Sequence, residues 1–283
     1  MDAAGLRCRT SLPRTDLMNS IVSPTGRRTA LRLMGQATAF VAVAGATRPI
    51  AAGAQQLPAP TLTMGELSEL AVRLTAVPRR RGFQTVPFML TSPDSWDQEA
   101  AGDVLTYRYR SRQMWEVTEL STPWLNLIRE AMNGQVFAHG NPEFLPVAAV
   151  HGTAHLALFD QPTWDRYKLA GLTDGKPAAN SFILEKPGVS AEDDLQDLEG
   201  FYGPANNNIL SLQRRGAVFI ACHDSIHAVA RRLHGIPDFA ATPADVIAAD
   251  LTNGLIPGVI LVPSVVAFMV ELQRAGFTYA KAA

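Results

Sequence analysis

The spacing of apolar residues changes repeatedly along this chain, and each change predicts an element. Residues 146–150, 217–221 and 258–262 are short continuous apolar runs, the pattern of strands buried on both faces. Segments of helical spacing lie between them. Leu125, Ile128, Met132 and Val136 fall on one face behind a Thr122 cap and Pro123. A second helix carries residues 153–159, and a third spans residues 208–215 and ends on Gly216. Residues 224–233 form another that stops at Gly235, and Thr242-Pro243-Ala244-Asp245 opens one that stops at Gly254. Ser264 caps the last, residues 265–274, and Gly276 ends it. Residues 181–184 and 277–280 read as short strands. Strands alternating with helices predict an α/β fold in three layers, a mostly parallel sheet with helices on both faces.

Upstream of residue 122 the pattern is weaker. Leu67, Leu70, Ala71 and Leu74 give helical spacing over residues 64–76, and Arg79, Arg80 and Arg81 read as its solvated end. Residues 84–90 are the candidate first strand. Residues 104–110, where Leu105, Tyr107 and Tyr109 alternate, are the candidate for a half-exposed second. Residues 91–119 hold Trp96 and Trp115 but no legible period. The Pro- and Ala-rich residues 55–63 read as a tether.

Nearer the amino terminus, Arg27-Arg28 leads into a weakly apolar stretch, residues 33–47, and then Ala52-Gly53-Ala54. This is the order of an export signal: basic region, short apolar core, small-x-small cleavage site. The core is too short and too polar to span a membrane, and Pro257, Gly258 and Pro263 break the apolar run over residues 255–270. The paired arginines resemble a twin-arginine signal, an address rather than an anchor. Met18 is an alternative start. The expected organisation is an export signal over residues 1–54, a linker and N-terminal extension with a first strand over 55–121, and an α/β domain over 122–283. The expected location is the periplasm, with no membrane span after cleavage.

Composition narrows the class. With 47% hydrophobic and 18% charged residues in 283, the chain has the apolar content of a packed domain, not of a disordered one. Residues 1–54 hold seven Arg and two Asp, so the remainder carries 18 basic against 24 acidic side chains. That balance argues against nucleic acid as a partner. Cys8 and Cys222 are the two cysteines, which rules out a disulfide framework and a four-cysteine zinc site.

The run Gly216-Ala217-Val218-Phe219-Ile220-Ala221-Cys222, with a following helix that ends Ala230-Arg231-Arg232-Leu233-His234-Gly235, resembles the DsrE-like family. That family includes the DsrE and TusD subunits of bacterial sulfur relays. The close of the chain is similar too: Gly258-Val259-Ile260-Leu261-Val262-Pro263-Ser264, then Leu272-Gln273-Arg274-Ala275-Gly276-Phe277-Thr278-Tyr279. The strand ending at His151-Gly152 matches the family's second strand, and the resemblance covers residues 122–281. It implies a DsrE-like α/β fold, assembly as a homotrimer or hexamer, and a sulfur-carrying role for Cys222 of the TusD type. The implied function is a sulfurtransferase-like uptake or transfer of sulfane sulfur, with a sulfur carrier or small molecule as partner and no cofactor required.

The residues themselves carry that chemistry, with alternatives. Cys222 closes a buried strand ahead of a helix, at the edge where open α/β sheets bind ligands. Amides and the helix dipole there would stabilise a thiolate or persulfide; the structural alternative is a small buried hydrophobe. His151/His155 and His223/His227 share an i,i+4 spacing, which puts each pair on one helix face behind a buried strand. If all four converged with Cys222, the donors would suit zinc, copper, iron or haem. A periplasmic metal- or small-ligand-binding module without turnover is therefore the alternative function, and an assembly subunit is a third. Gly152 and Asp224 are binding candidates at the same edge, while His139 and His234 read as helix-end residues. For the paired histidines, capping or hydrogen bonding is the structural alternative.

The export reading has a direct check. The unaltered protein should be recovered outside the cytoplasm, beginning near Gln55, and a variant with Arg27→Lys and Arg28→Lys should stay inside. Unchanged export of that variant removes the twin-arginine reading.

Overall fold

The computed structural model describes residues 65–185 and 207–282. The segments read above as an export signal and a tether, with Cys8, lie outside the described residues. Three apolar runs buried on both faces become strands β2 (Leu145–Val150), β3 (Val218–Cys222) and β4 (Ile260–Val262), and two more polar segments become β1 (Arg112–Val117) and β5 (Thr278–Ala282). They form one sheet of order β4-β3-β2-β1-β5, and every pairing is parallel. Eight α-helices accompany it among the described residues. These are α1 (Glu66–Ala76), α2 (Gln98–Leu105), α3 (Trp124–Asn133), α4 (Gln161–Arg166), α5 (Ile209–Arg214), α6 (His223–His234), α7 (Ala244–Asn253) and α8 (Val265–Arg274).

Strand side chains alternate between two apolar layers, as the period of two requires. Val117, Val150, Ala221 and Leu261 enter the layer built with α3 to α7. Met114, Ala149, Cys222 and Val262 enter the layer built with α1, α2 and α8. The steps from β1 to β4 all run one way across the sheet, so right-handed crossovers put their helices on one face. From β4 the chain returns over the other face through α8 and adds β5 beside β1.

Several expectations upstream need correction. The first strand is β1, inside the stretch without a legible period. Residues 84–90 have no strand partner. They form a strap across α6 and α7, where Val86 N–H donates to Asp245 O and the Gly82 and Phe83 amides donate to Asn253 Oδ1. Residues 104–110 alternate for another reason: Val104 and Leu105 end α2, and Tyr107 is buried with its hydroxyl donating to Glu143 O. Residues 181–184 hold a 3-10 turn, Ser181–Ile183, capped by Asn180, and residues 153–159 a longer one, Gly152–Leu158.

The three arginines are not a solvated helix end. Asp97, fully buried, accepts from the Arg80 amide at 2.6 Å, the Leu261 amide at 2.7 Å and Arg81 Nη1 at 3.2 Å. Arg81 Nη2 also donates to Val259 O. This ion pair ties the chain before the strap to β4. Removing one partner of a buried pair leaves a stranded charge and unsatisfied amides. Asp97→Ala should lower the unfolding free energy by about 3–5 kcal/mol in urea titration; a loss below about 1 kcal/mol would mean the tie is slack.

Candidate functional site

β3 continues into α6 on one face of the sheet, and its neighbour β4 continues into α8 on the other. Adjacent strands whose continuations part in this way mark a switch point, the place beyond the carboxyl ends where open α/β sheets bind ligands. Cys222 sits there. It is the last residue of β3, caps α6 and pairs with Val262 of β4. The amide of Val265, the first residue of α8, donates to Sγ at 3.4 Å. Unpaired amides at a helix start favour negative charge, so the sulfur lies where an anion is stabilised. The residue is 3% exposed.

His151 follows β2. The register pairs Val150 with Ala221, so His151 and Cys222 stand at the next positions of neighbouring strands. His151 Nε2 lies 3.1 Å from Glu116 Oε1, and the Tyr279 hydroxyl donates to Glu116 Oε2 at 2.5 Å. The Tyr279 hydrogen bond, supported by His151, holds the Glu116 carboxyl below its usual range, and the same contact raises the Tyr279 phenol. An ionised carboxylate can only accept, so Nε2 carries the imidazole proton. With Nε2 so engaged, Nδ1 is the ring nitrogen left to act as a base. His151 and Glu116 side chains are about one-fifth exposed, at 20% and 21%.

The other three histidines belong with the opposite layer. His155 is fully buried in the Gly152–Leu158 turn against Phe159, and neither ring nitrogen has a hydrogen-bond partner. Burial, aided by neighbouring imidazoles, pushes its pKa down to about 3. His223 and His227 meet edge to face on α6, ring centres 4.7 Å apart, and His223 Nε2 lies 2.8 Å from the Pro87 carbonyl. Burial lowers both pKa values. Phe88 packs on His227 and Arg231 lies over the Phe88 ring, so the strap covers this pair. His223 Nδ1 and His227 Nε2 have no partner.

The five candidates therefore divide. His151 and Cys222 go with the α8 side, and His155, His223 and His227 with the α6 side. The i,i+4 argument holds for His223 and His227 but not for His151 and His155, because a 3-10 turn does not stack positions four apart. Among the described residues no three His, Cys, Asp or Glu side chains are placed to hold a metal ion. Gly152 has φ +61°, its amide donates to Ser225 Oγ, and a Cβ there would come within 2.5 Å of Thr118 O. It shapes the turn between the two groups. Asp224 lies in the first turn of α6. His234 Nδ1 lies 2.9 Å from Thr242 O, a helix-end contact.

No protein-family model, curated protein or solved structure matches the chain. Its site must be read from its own geometry. A cavity of about 60 Å³ beside Leu67, Leu70, Leu74, Arg79 and Gln213 lies at the amino end of β3, away from all of this chemistry. It has room for about two waters. Sequence reasoning missed Glu116 and Tyr279. A lone carboxylate between Trp115 and Val117, and a tyrosine before Ala280, were the signals, visible only once β1 and β5 are known to be neighbours.

The buried histidines set a pH dependence. Their folded-state pKa values lie below the unfolded value of about 6.5, so below that pH the unfolded chain binds protons that the folded one does not. Stability should be flat above about pH 6.5 and fall as pH drops towards 3, where His155 titrates. Each such histidine contributes up to about 1.4 kcal/mol per pH unit. His155→Leu should flatten the slope by about one proton in denaturant titrations between about pH 6 and 4, because an apolar side chain suits its site. An unchanged slope would show that His155 is not held neutral.

Proposed function

We propose that this chain is an exported DsrE-like protein that takes up and passes on sulfane sulfur through Cys222. The observation that carries the reading is the position of the thiol: at the switch point between β3 and β4, with the first amide of α8 donating to Sγ. A sulfur carrier needs this combination. The thiolate must persist long enough to attack, and the persulfide it becomes is itself an anion that the same amide can hold. Apolar packing around Cys222 shields a persulfide from stray thiols. It also means that uptake follows local opening of this edge.

One observation favours the second reading, a binding module without turnover. Four nitrogens on three buried imidazoles lack a partner: Nδ1 and Nε2 of His155, Nδ1 of His223 and Nε2 of His227. Neutral imidazoles of this kind would serve a small ligand or a two-histidine metal site on the α6 side. They lie across the sheet from Cys222, so the two readings can be tested separately.

Full-length protein incubated with inorganic polysulfide or thiosulfate should gain about 32 Da on the peptide that contains Cys222, the mass of one sulfur atom. Cys222→Ser should abolish the gain with its unfolding midpoint unchanged. If the native thiol takes up no sulfur, and chelator-free protein instead holds one metal ion per chain that His155→Ala with His223→Ala removes, the binding reading replaces this one.

A further inference from the structure

Three side chains from three further strands accompany Cys222 on its face of the sheet, and Glu116 links the other two. Its neighbour in register is Ala149, a residue of the α8-side layer, while Val117 and Val150 face the other way. One step past Val150 and Ala221, His151 and Cys222 therefore share the side of Glu116. Tyr279 pairs with Met114 on that same side and reaches Glu116 through its hydroxyl. Cys222, His151, Glu116 and Tyr279 thus form a row across β3, β2, β1 and β5. The row is diagonal: His151 and Cys222 stand at matched positions about 4.8 Å of sheet apart, Glu116 two residues further back opposite Ala149, and Tyr279 two further still opposite Met114.

Building on the proposed role of Cys222, we infer that His151 is the proton acceptor for the Cys222 thiol, with Glu116 and Tyr279 as positioning residues. Glu116 accepts a hydrogen bond from Nε2–H and leaves Nδ1 as the base. The Tyr279 hydroxyl fixes the second carboxylate oxygen, so Glu116 stays ionised and cannot rotate away. The Val265 amide holds the resulting sulfur anion. With a persulfide donor R–S–SH, His151 accepts the thiol proton and Sγ attacks the outer sulfur. The Sγ–S bond forms as the R–S to S bond breaks, and the departing thiolate takes the proton from His151. Cys222–SH and R–SSH become Cys222–SSH and R–SH, with no external oxidant or reductant. The charged groups around the row are Lys281, which faces Glu116 from β5, and Asp224 beside Cys222. His155 and His223 lie on the opposite side, where burial disfavours their charged forms.

The test is the rate of Cys222 alkylation by iodoacetamide at about pH 6.5 and about pH 9 on the full-length protein, read on the Cys222 peptide. An unassisted thiol of pKa ~8.5 keeps about 1% of its high-pH rate at the lower pH. The wild-type protein should keep more than about a third, since an acid–base partner contributes ~100-fold or more. His151→Ala should fall at least ~10-fold at the lower pH with its high-pH rate within ~2-fold. Glu116→Gln should fall between the two, and Tyr279→Phe, at an exposed position, should show a smaller loss without risk to folding. His151→Asn serves if the alanine variant unfolds. A wild-type profile like that of an ordinary thiol, an inert wild-type thiol, or identical profiles in wild type and His151→Ala each overturn the inference. Sulfur uptake separates the two claims. Uptake with no effect of His151→Ala leaves Cys222 as the carrier and removes the row; a row signature without uptake does the reverse.

Discussion

In a parallel sheet the amides and carbonyls bond within the plane, so each side chain must leave through one face or the other, into one of two apolar layers. That alternation governs the whole molecule. Met114, Ala149, Ile220 and Val262 build one layer with α1, α2 and α8, and Val117, Val150, Ala221 and Leu261 the other with α3 to α7. Along β2, β3 and β4 no polar side chain enters either layer until the strands run out. At the carboxyl edge the next side chains still obey the alternation, but the apolar layers are ending around them. Glu116, His151 and Cys222 fall on one side there for the same reason that Met114 and Ala149 do.

The direction of the chain adds the second element. Because β1 to β4 advance one way and β5 is added behind them, α8 is the one crossover after β1 that passes over the second face. Its first amide comes to lie over the end of β3, and Val265 donates to the Cys222 sulfur. Had β5 been placed beyond β4, a right-handed crossover would have put α8 with α6 and left Cys222 under no helix start. The topology that closes the fold therefore also supplies the anion-stabilising donor.

Much of this was legible from residue pattern, and the parts that were not have physical reasons. Residues 217–221 and 258–262 read as strands because both faces of β3 and β4 are apolar, and glycines at 216, 235 and 254 mark helix limits. β1 was hidden because Arg112, Gln113 and Glu116 interrupt its apolar positions: it enters from a loop and leaves through the carboxyl edge of the sheet. The strap at residues 84–90 imitates a strand because Val86 and Leu90 are buried, yet its amides bond to α7 rather than to the sheet. Arg81 and Asp97 form a buried pair across 16 residues, which no local spacing announces. The candidate site was half legible. Cys222 and His151 were named from strand ends, but Glu116 and Tyr279 required knowing which strands lie side by side.

The row and the fold are specified by the same alternation, which makes them hard to separate. A one-residue slip of β1 against β2 would send Glu116 into the α3-side layer and bring Val117 beneath His151. Such a slip is resisted by Trp115 and Val117 on one side and Met114 on the other, all buried. The carboxylate is thus held in place by apolar neighbours that make no contact with sulfur, and its bonds to His151 and Tyr279 link three strands at the point where backbone pairing ends. Upstream, Asp97 does comparable work by fastening residues 80 and 81 to β4. Residues 65–121 are therefore part of the domain itself: they supply a central strand, the Glu116 carboxylate and the tie that holds the far edge of the sheet.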